Sequence, residues 1–161
     1  MRNTVTIHCK PYVAHYLRLK YGIRGSNIID LPRKSKMRNI FLHCLTKNFT
    51  GSDHQPRTAL TDSIQVFVND DLLLQHGAEI ALAFCAHLNG VLEEKIKNEA
   101  FYIINLIRLK HNLKPKDAIL EFQSIYEFAD TFSFDAIKRD YYRSVTEAEE
   151  IILKKKTVTK H

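Results

Sequence analysis

The chain opens with polar and apolar residues in alternation. In Thr4-Val5-Thr6-Ile7-His8-Cys9 the residues Val5, Ile7 and Cys9 fall on one face of an extended segment, because strand side chains point to opposite faces with a period of two. Pro11 is suited to a first helical position, and Tyr12, Tyr16, Leu17 and Leu19 fit a helix that stops at Gly22. The pattern then recurs. Asn27-Ile28-Ile29-Asp30-Leu31 predicts a second strand broken at Pro32, followed by a helix from Ser35 with Met37, Ile40, Phe41, Cys44 and Leu45 as its buried stripe. Ile64-Gln65-Val66-Phe67-Val68 predicts a third strand, with Asn69 or Asp70 capping the next helix. Three strands suggest one small sheet. The units differ in length and share little sequence, so their repetition is architectural.

The second half reads as helical. Ile80, Phe84, Leu88, Val91, Ile96, Ala100, Ile103 and Ile107 follow a 3.6-residue period, and a kink or break is expected at Asn89-Gly90, two poor helix formers. Pro115 and Asp117 suit the first turn of a helix carrying Ala118, Ile119, Phe122 and Ile125. After a turn over 127–132, Ser133 caps a helix through Arg143. Thr146 with Glu149 forms a capping box for a separate last helix ending in Lys154-Lys155-Lys156. Residues 48–62 collect Asn, Gly, Ser, Asp, Gln, Pro and Thr, which predicts a mobile loop.

With 161 residues, 45% apolar and 26% charged, the chain can bury roughly 70% of its unfolded surface as a single domain over 1–161. Its sub-regions would be basic strand-helix units over 1–50, a loop over 51–62, and a strand plus helices over 63–161. Cys9, Cys44 and Cys85 are odd in number and far apart, which points to a reducing compartment. There is no signal-peptide pattern, and the longest clearly apolar run, residues 80–86, is far short of the roughly 20 needed to span a bilayer. The expectation is a cytoplasmic protein without a membrane partner.

Charge changes the picture more than composition does. The net +6 resolves into +9 over residues 1–50, −5 over 51–100 and +2 over 101–161, and Asp30 is the only acid in the first fifty residues. Such a segment presents a positive field that attracts polyanions. Arg18, Lys20, Arg24, Arg33, Lys34, Lys36 and Arg38 supply phosphate-pairing groups, with Tyr12, Tyr16 and Tyr21 interleaved. Arg33-Lys34-Ser35-Lys36 sits where a helix begins, so backbone N–H groups and a hydroxyl join three cations there. The plainer alternatives are tyrosines that pack and lysines that keep a surface solvated.

In residues 115–143 the helix Lys116-Asp117-Ala118-Ile119-Leu120-Glu121-Phe122-Gln123-Ser124-Ile125-Tyr126 precedes Ser133-Phe134-Asp135-Ala136-Ile137-Lys138-Arg139-Asp140-Tyr141-Tyr142-Arg143. Phe134, Ile137 and Tyr141 share one face of the second helix, which leaves Lys138, Arg139, Tyr142 and Arg143 near the other. This stretch resembles the helix-turn-helix units of DNA-binding proteins carried by phages and mobile elements. The resemblance implies a reading helix in the major groove, with Arg139, Tyr142 and Arg143 as base contacts. The connection from Glu127 to Phe132 is longer than the usual turn and lacks glycine, and Asp135 and Asp140 would oppose phosphates. Two packed helices without a DNA role would show the same pattern.

Other chemistry is weakly marked. The third strand with its following helices could form a ribbon-helix-helix unit reading DNA through Gln65, Phe67 and Asn69, but it lies in the acidic region, which favours an internal sheet strand. His8-Cys9, His43-Cys44 and Cys85 with His87 lack zinc-finger spacing. Asp62, Asp70, Asp71 and Glu79 could hold Mg²⁺ for phosphodiester cleavage but match no nuclease pattern. Five glycines, none in a dinucleotide or Walker arrangement, exclude those nucleotide fingerprints.

The sequence therefore predicts an α+β fold: a small three-stranded sheet with two basic helices in the N-terminal half and a helical C-terminal half. The expected function is non-catalytic nucleic-acid binding, accessory or regulatory, to DNA ahead of RNA and without cofactor or metal. Arg18, Lys20, Arg33, Lys34, Lys36 and Arg38 would anchor phosphates. The alternative is an interaction module or homo-oligomer built on the apolar residues Phe101, Ile103, Ile104, Leu106, Ile107 and Leu109.

Overall fold

The computed structural model describes residues 3–24, 26–46, 59–76, 82–128 and 130–158, with side chains undescribed at 43–46, 72, 75–76 and 149–158. Its elements in chain order are β1 (Asn3–Cys9), α1 (Pro11–Tyr21), β2 (Ile28–Ile29), α2 (Lys36–Thr46), β3 (Asp62–Val68), α3 (Asp70–His76), α4 (Leu82–His111), α5 (Pro115–Ile125) and α6 (Phe134–Val158). This is the α+β arrangement that the pattern predicts. Two compact units divide the chain, Met1–Ile96 and Lys97–His161. The expected loop over 48–62 lies largely outside the described residues, and Asp62 already belongs to β3.

The sheet of the first unit has the order β1-β3-β2. β1 runs antiparallel to β3 with Val5 opposite Val66 and Ile7 opposite Ile64, whereas β2 runs parallel to β3 with Ile29 opposite Val66. Val5, Ile7, Cys9, Ile64, Val66 and Val68 are buried while their neighbours in the strands are not. The period-two pattern therefore sets which face is covered. Leu17 of α1, Met37 and Phe41 of α2, and Leu88 and Leu92 of α4 close over Ile7, Ile29, Ile64 and Val66. Each such side chain contributes about 1.5–3 kcal/mol by leaving water. Because β3 is hydrogen-bonded on both edges, it is an internal strand and is not free to pair across a dimer as a ribbon-helix-helix strand must.

Of the kink or break expected at Asn89-Gly90, the break does not occur, since α4 is one helix from Leu82 to His111. Asn89 is buried, and its Nδ2 donates to the carbonyls of His8 at 3.1 Å and Cys85 at 2.8 Å, while its Oδ1 accepts from the Lys10 N–H at 2.9 Å. A residue that weakens an isolated helix thus joins the end of β1 and the start of α1 to α4, and satisfies a carbonyl of the edge strand β1 and the Lys10 N–H that follows it. Gly90 is exposed, and a Cβ there would meet nothing within 4 Å. The buried stripe also differs by one residue from expectation at two places: Leu92 and Ile104 are buried, where the period predicts Val91 and Ile103. Adjacent apolar pairs leave that choice to the packing.

The second unit combines residues 97–111 of α4 with α5 and α6. α4 ends at an αL residue, Asn112 (φ 50°), with the Leu113 N–H donating to the Arg108 carbonyl at 3.1 Å, a C-terminal cap that asparagine tolerates. α5 ends in the same way at Glu127 (φ 52°), at a turn where the sequence offers no glycine. The connection that follows is packed by Phe128 and Phe132, both buried, with their rings 5.9 Å apart and edge-on. Gln123 Nε2 donates to the Phe132 carbonyl at 2.7 Å. α6 is one helix to Val158, without the separate last helix expected from Thr146 and Glu149. The Ser144 and Thr146 hydroxyls donate back to the Tyr141 and Tyr142 carbonyls at 2.8 and 3.1 Å, so Thr146 bonds within the helix and does not cap a new one. Among the described residues no helix is long and apolar enough to cross a membrane.

Adjacent substitutions in α4 should have opposite effects. Asn89→Ala leaves the Lys10 N–H and the His8 carbonyl unpaired and should destabilise by about 2–3 kcal/mol. Gly90→Ala meets no obstruction and should stabilise by about 0.5–1 kcal/mol. Urea denaturation of the two variants measures both signs.

Candidate functional site

The parallel pairing of β2 and β3 brings the carboxyl ends of both strands to one edge of the sheet, where α2 and α3 begin. A cleft of about 620 Å³ opens there. The segment between β2 and α2 and the first turn of α2 supply Asp30, Arg33 and Arg38; the end of β3 and the start of α3 supply Phe67, Asn69 and Asp70. Clefts in open sheets containing parallel strands bind ligands at this position because strand ends and helix starts expose unpaired backbone and side-chain groups together.

Local interactions set the basic wall. β2 ends at Ile29, short of the expected break at Pro32, and the chain turns after Pro32, where the Ser35 N–H donates to the Pro32 carbonyl at 2.9 Å. Ser35 Oγ then accepts from the Arg38 N–H at 3.1 Å and caps α2. Arg38 is half-buried, with Nη1 3.4 Å from the Leu31 carbonyl, while Arg33, Lys34 and Lys36 are exposed and have no carboxylate partner among the described residues. On the other wall, Asp70 Oδ1 accepts from Asn3 Nδ2 at 2.6 Å, and Asn69 Nδ2 donates to Asp71 Oδ2 at 3.2 Å. The lining therefore holds two guanidinium groups and two carboxylates, and is not uniformly positive.

Arg18 and Lys20 lie elsewhere. Arg18 is committed to internal partners: Nη1 and Nη2 lie 2.9 and 2.8 Å from the two oxygens of Asp62, Nη2 is 2.8 Å from the Ser63 carbonyl, and Nε is 2.7 Å from Asn27 Oδ1. Asn27 Nδ2 in turn donates to the Ser63 carbonyl at 3.0 Å. The cluster clips the start of β2 to the start of β3. Asp62 and Val68 are the two ends of β3, so the clip and the cleft are roughly 20 Å apart along that strand. The hydrogen bond from Arg18 holds the Asp62 carboxyl below the usual carboxylate range despite its partial burial, and raises the Arg18 guanidinium further above its ordinary value. Lys20 Nζ lies 2.9 Å from the hydroxyl of Tyr16, which is a core residue.

The remaining residues expected at the interface lie on α6, in the second unit. Ile137 and Tyr141 are buried, and Lys138, Arg139, Tyr142 and Arg143 are exposed, as the 3.6-residue period requires. Arg139 Nε is 3.1 Å from Asp140 Oδ1, and Lys97 Nζ is 2.8 Å from Asp140 Oδ2. Burial raises the Asp140 carboxyl, but the bonds from Lys97 and Arg139 outweigh that effect and hold it low. This carboxylate, expected to face phosphates, is instead partnered. Behind it, Tyr141 OH accepts from Arg108 Nη1 at 2.7 Å and donates to Asn105 Oδ1 at 2.6 Å.

Among the described residues no three His, Cys, Asp or Glu side chains are placed to hold a metal. Burial, helped by Asp62, pushes the Cys9 thiol up to about 12, which keeps it protonated and unreactive. Comparison with family models, curated proteins and solved structures finds no match for the chain. The cleft therefore rests on its own geometry. Asp30, Phe67 and Asn69 are not expected from the sequence as partners of Arg33 and Arg38, because only the parallel register of β2 against β3 puts them in one cleft. The signal present in the sequence is a strand end followed closely by a helix start; it occurs three times, and the parallel pairing of β2 with β3 brings the second and third together.

The Arg18–Asp62 pair has a testable pH dependence. A carboxyl held low in the folded state contributes stability above the ordinary Asp value near about pH 4, and that contribution is lost as pH falls through the depressed value. Asp62→Asn should therefore cost about 1 kcal/mol at pH 7 for this partly exposed pair. The difference from the parent should shrink in acid, as measured by denaturation at pH 7, 4 and 2.5.

Proposed function

We propose that this is a non-catalytic nucleic-acid-binding protein, accessory or regulatory in role, whose phosphate contacts come from the start of α2. The observation that carries this reading is the group Arg33, Lys34, Lys36 and Arg38, gathered within the first turn of α2 and the segment before it, with three of the four exposed and without a carboxylate partner among the described residues. Cations left in water beside a helix start stabilise little in the free protein but release counterions when a polyphosphate binds. Arg18 serves the sheet, so the reading rests on the α2 group, with Lys20 as a peripheral contact. The preference for DNA over RNA is supported by the resemblance of residues 115–143 to helix-turn-helix units and by the exposure of Arg139, Tyr142 and Arg143 on α6. A reducing cytoplasm suits the buried thiols of Cys9 and Cys85, which are not in a disulfide.

Titration of duplex and single-stranded DNA at several salt concentrations tests the reading. Affinity should fall steeply with salt, and replacing Arg33, Lys34, Lys36 and Arg38 by glutamate should abolish binding at low salt. Their neutral replacement by glutamine should flatten the slope of log K against log salt by about 3–4, near one unit for each cation that no longer neutralises a phosphate. Binding that survives the glutamate variant unchanged would end the proposal.

A second reading, self-association, is supported by an apolar stripe on α4. Tyr102, Leu106 and Leu109 follow one another at helical spacing and are 65%, 46% and 82% exposed, while Ile104 and Ile107 point into the core of the second unit. If this stripe mediates oligomerisation, light scattering should give a dimer mass or larger that returns to the monomer mass in Leu106→Lys/Leu109→Lys. A concentration-independent monomer counts against it.

A further inference from the structure

Resting on the nucleic-acid reading, we propose that the cleft between the ends of β2 and β3 takes a terminal nucleotide bearing a phosphomonoester. Such a site would recognise strand ends in preference to continuous backbone.

Size is the first reason. A volume of about 620 Å³ lies within the range of small-ligand pockets, which is room for a single nucleotide. Charge is the second. Arg33 and Arg38 are both in the lining, and two guanidinium forks match the charge of a phosphomonoester, roughly −1.5 to −2 at neutral pH, better than the single charge of an internal diester. The third reason is the part of the lining that a purely electrostatic phosphate track would not contain. Asp30 and Asp70 are within the same cleft and repel any phosphate beside them, so one terminal phosphate held by Arg33 and Arg38 meets less repulsion than a run of phosphodiesters passing both carboxylates. As acceptors they suit sugar hydroxyls and base N–H groups, and Asp70 is already oriented by the amide of Asn3. Asn69 adds a side-chain amide, and Phe67, half-buried at the end of β3, adds an apolar ring against which a base or sugar can lie. Cation, acceptor and aromatic groups in one cleft match the three chemical parts of a nucleotide.

Lys34 and Lys36 lie on the same segment but outside the lining, so the proposal separates two kinds of variant. The experiment uses the full chain and oligonucleotides of one sequence with a 5′-phosphate, a 3′-phosphate or hydroxyl ends, followed by fluorescence anisotropy. One phosphorylated end should bind about tenfold tighter than the hydroxyl-ended strand. Lys34→Gln/Lys36→Gln should weaken all strands and keep that ratio, whereas Arg33→Gln, an exposed and structurally mild change, should bring the ratio close to one, as should Arg38→Gln. Circular dichroism checks that each variant is folded. Nucleoside monophosphates should compete where nucleosides do not, and a monophosphate that binds as tightly as the phosphorylated strand overturns strand-end recognition and assigns the site to free nucleotide. Equal affinity for phosphorylated and hydroxyl ends overturns the proposal and leaves the nucleic-acid reading standing. Failure of every strand to bind at low salt overturns both.

Discussion

The site depends on one constraint, the parallel register of a two-residue strand. β2 is too short to hold itself against β3 by its ladder alone, and its position is fixed from outside the ladder. Arg18 reaches from α1 to Asp62, Ser63 and Asn27, and the Gln65 N–H donates to the Asn27 carbonyl at 3.0 Å. The end of α1 closes on the other edge of β2, where Ile23 N–H meets the Ile28 carbonyl and Asp30 N–H meets the Tyr21 carbonyl. Gly22 is required in that turn because a Cβ would collide with the Arg18 carbonyl oxygen. With β2 held this way, the chain leaving it must turn at Pro32 beside the end of β3, and the cleft follows.

A division of labour among cations results. The positive charge of the first fifty residues is not a single surface. Arg18 is bound to a carboxylate of the acidic middle region, Lys10 is paired with Glu93, and Lys20 lies against Tyr16. The cations at the start of α2 have no such acid among the described residues, and two of them line a cleft. Sequence charge therefore overstates the extent of unpartnered positive surface, and two cations of the group that remains stand beside acceptors and an aromatic ring in one cleft.

In the second unit a polar network is built into a helical core. Tyr141 presents its ring to Phe101, 5.7 Å away and edge-on, and its hydroxyl to Arg108 and Asn105. Asp140 holds Lys97 and Arg139 from the adjacent position along α6. Burying Tyr141 while satisfying its hydroxyl fixes the rotation of α6 about its axis. That rotation leaves Arg139, Tyr142 and Arg143 on the outside, whatever they meet there.

What the sequence determined by itself was local: the one-faced alternation of β1 and β3, the helix starts at Pro11 and Pro115, the stop at Gly22, the cap at Ser133, and the α+β class that these elements imply. Those features arise from residues a few positions apart, so periodicity and capping chemistry reach them. The same local rules miss the burial of Asn89 inside a continuous helix and misplace a cap at Thr146, because the partners that decide Asn89 are about 80 residues away and the hydroxyl of Thr146 has a helical carbonyl to bond. Arg33, Lys34, Lys36 and Arg38 are legible as a basic group, but their cleft is not. Only the pairing of β2 with β3 joins Asp30 and Arg33 to Asn69 and Asp70, and strand order is a property of long-range packing that no short window of residues contains.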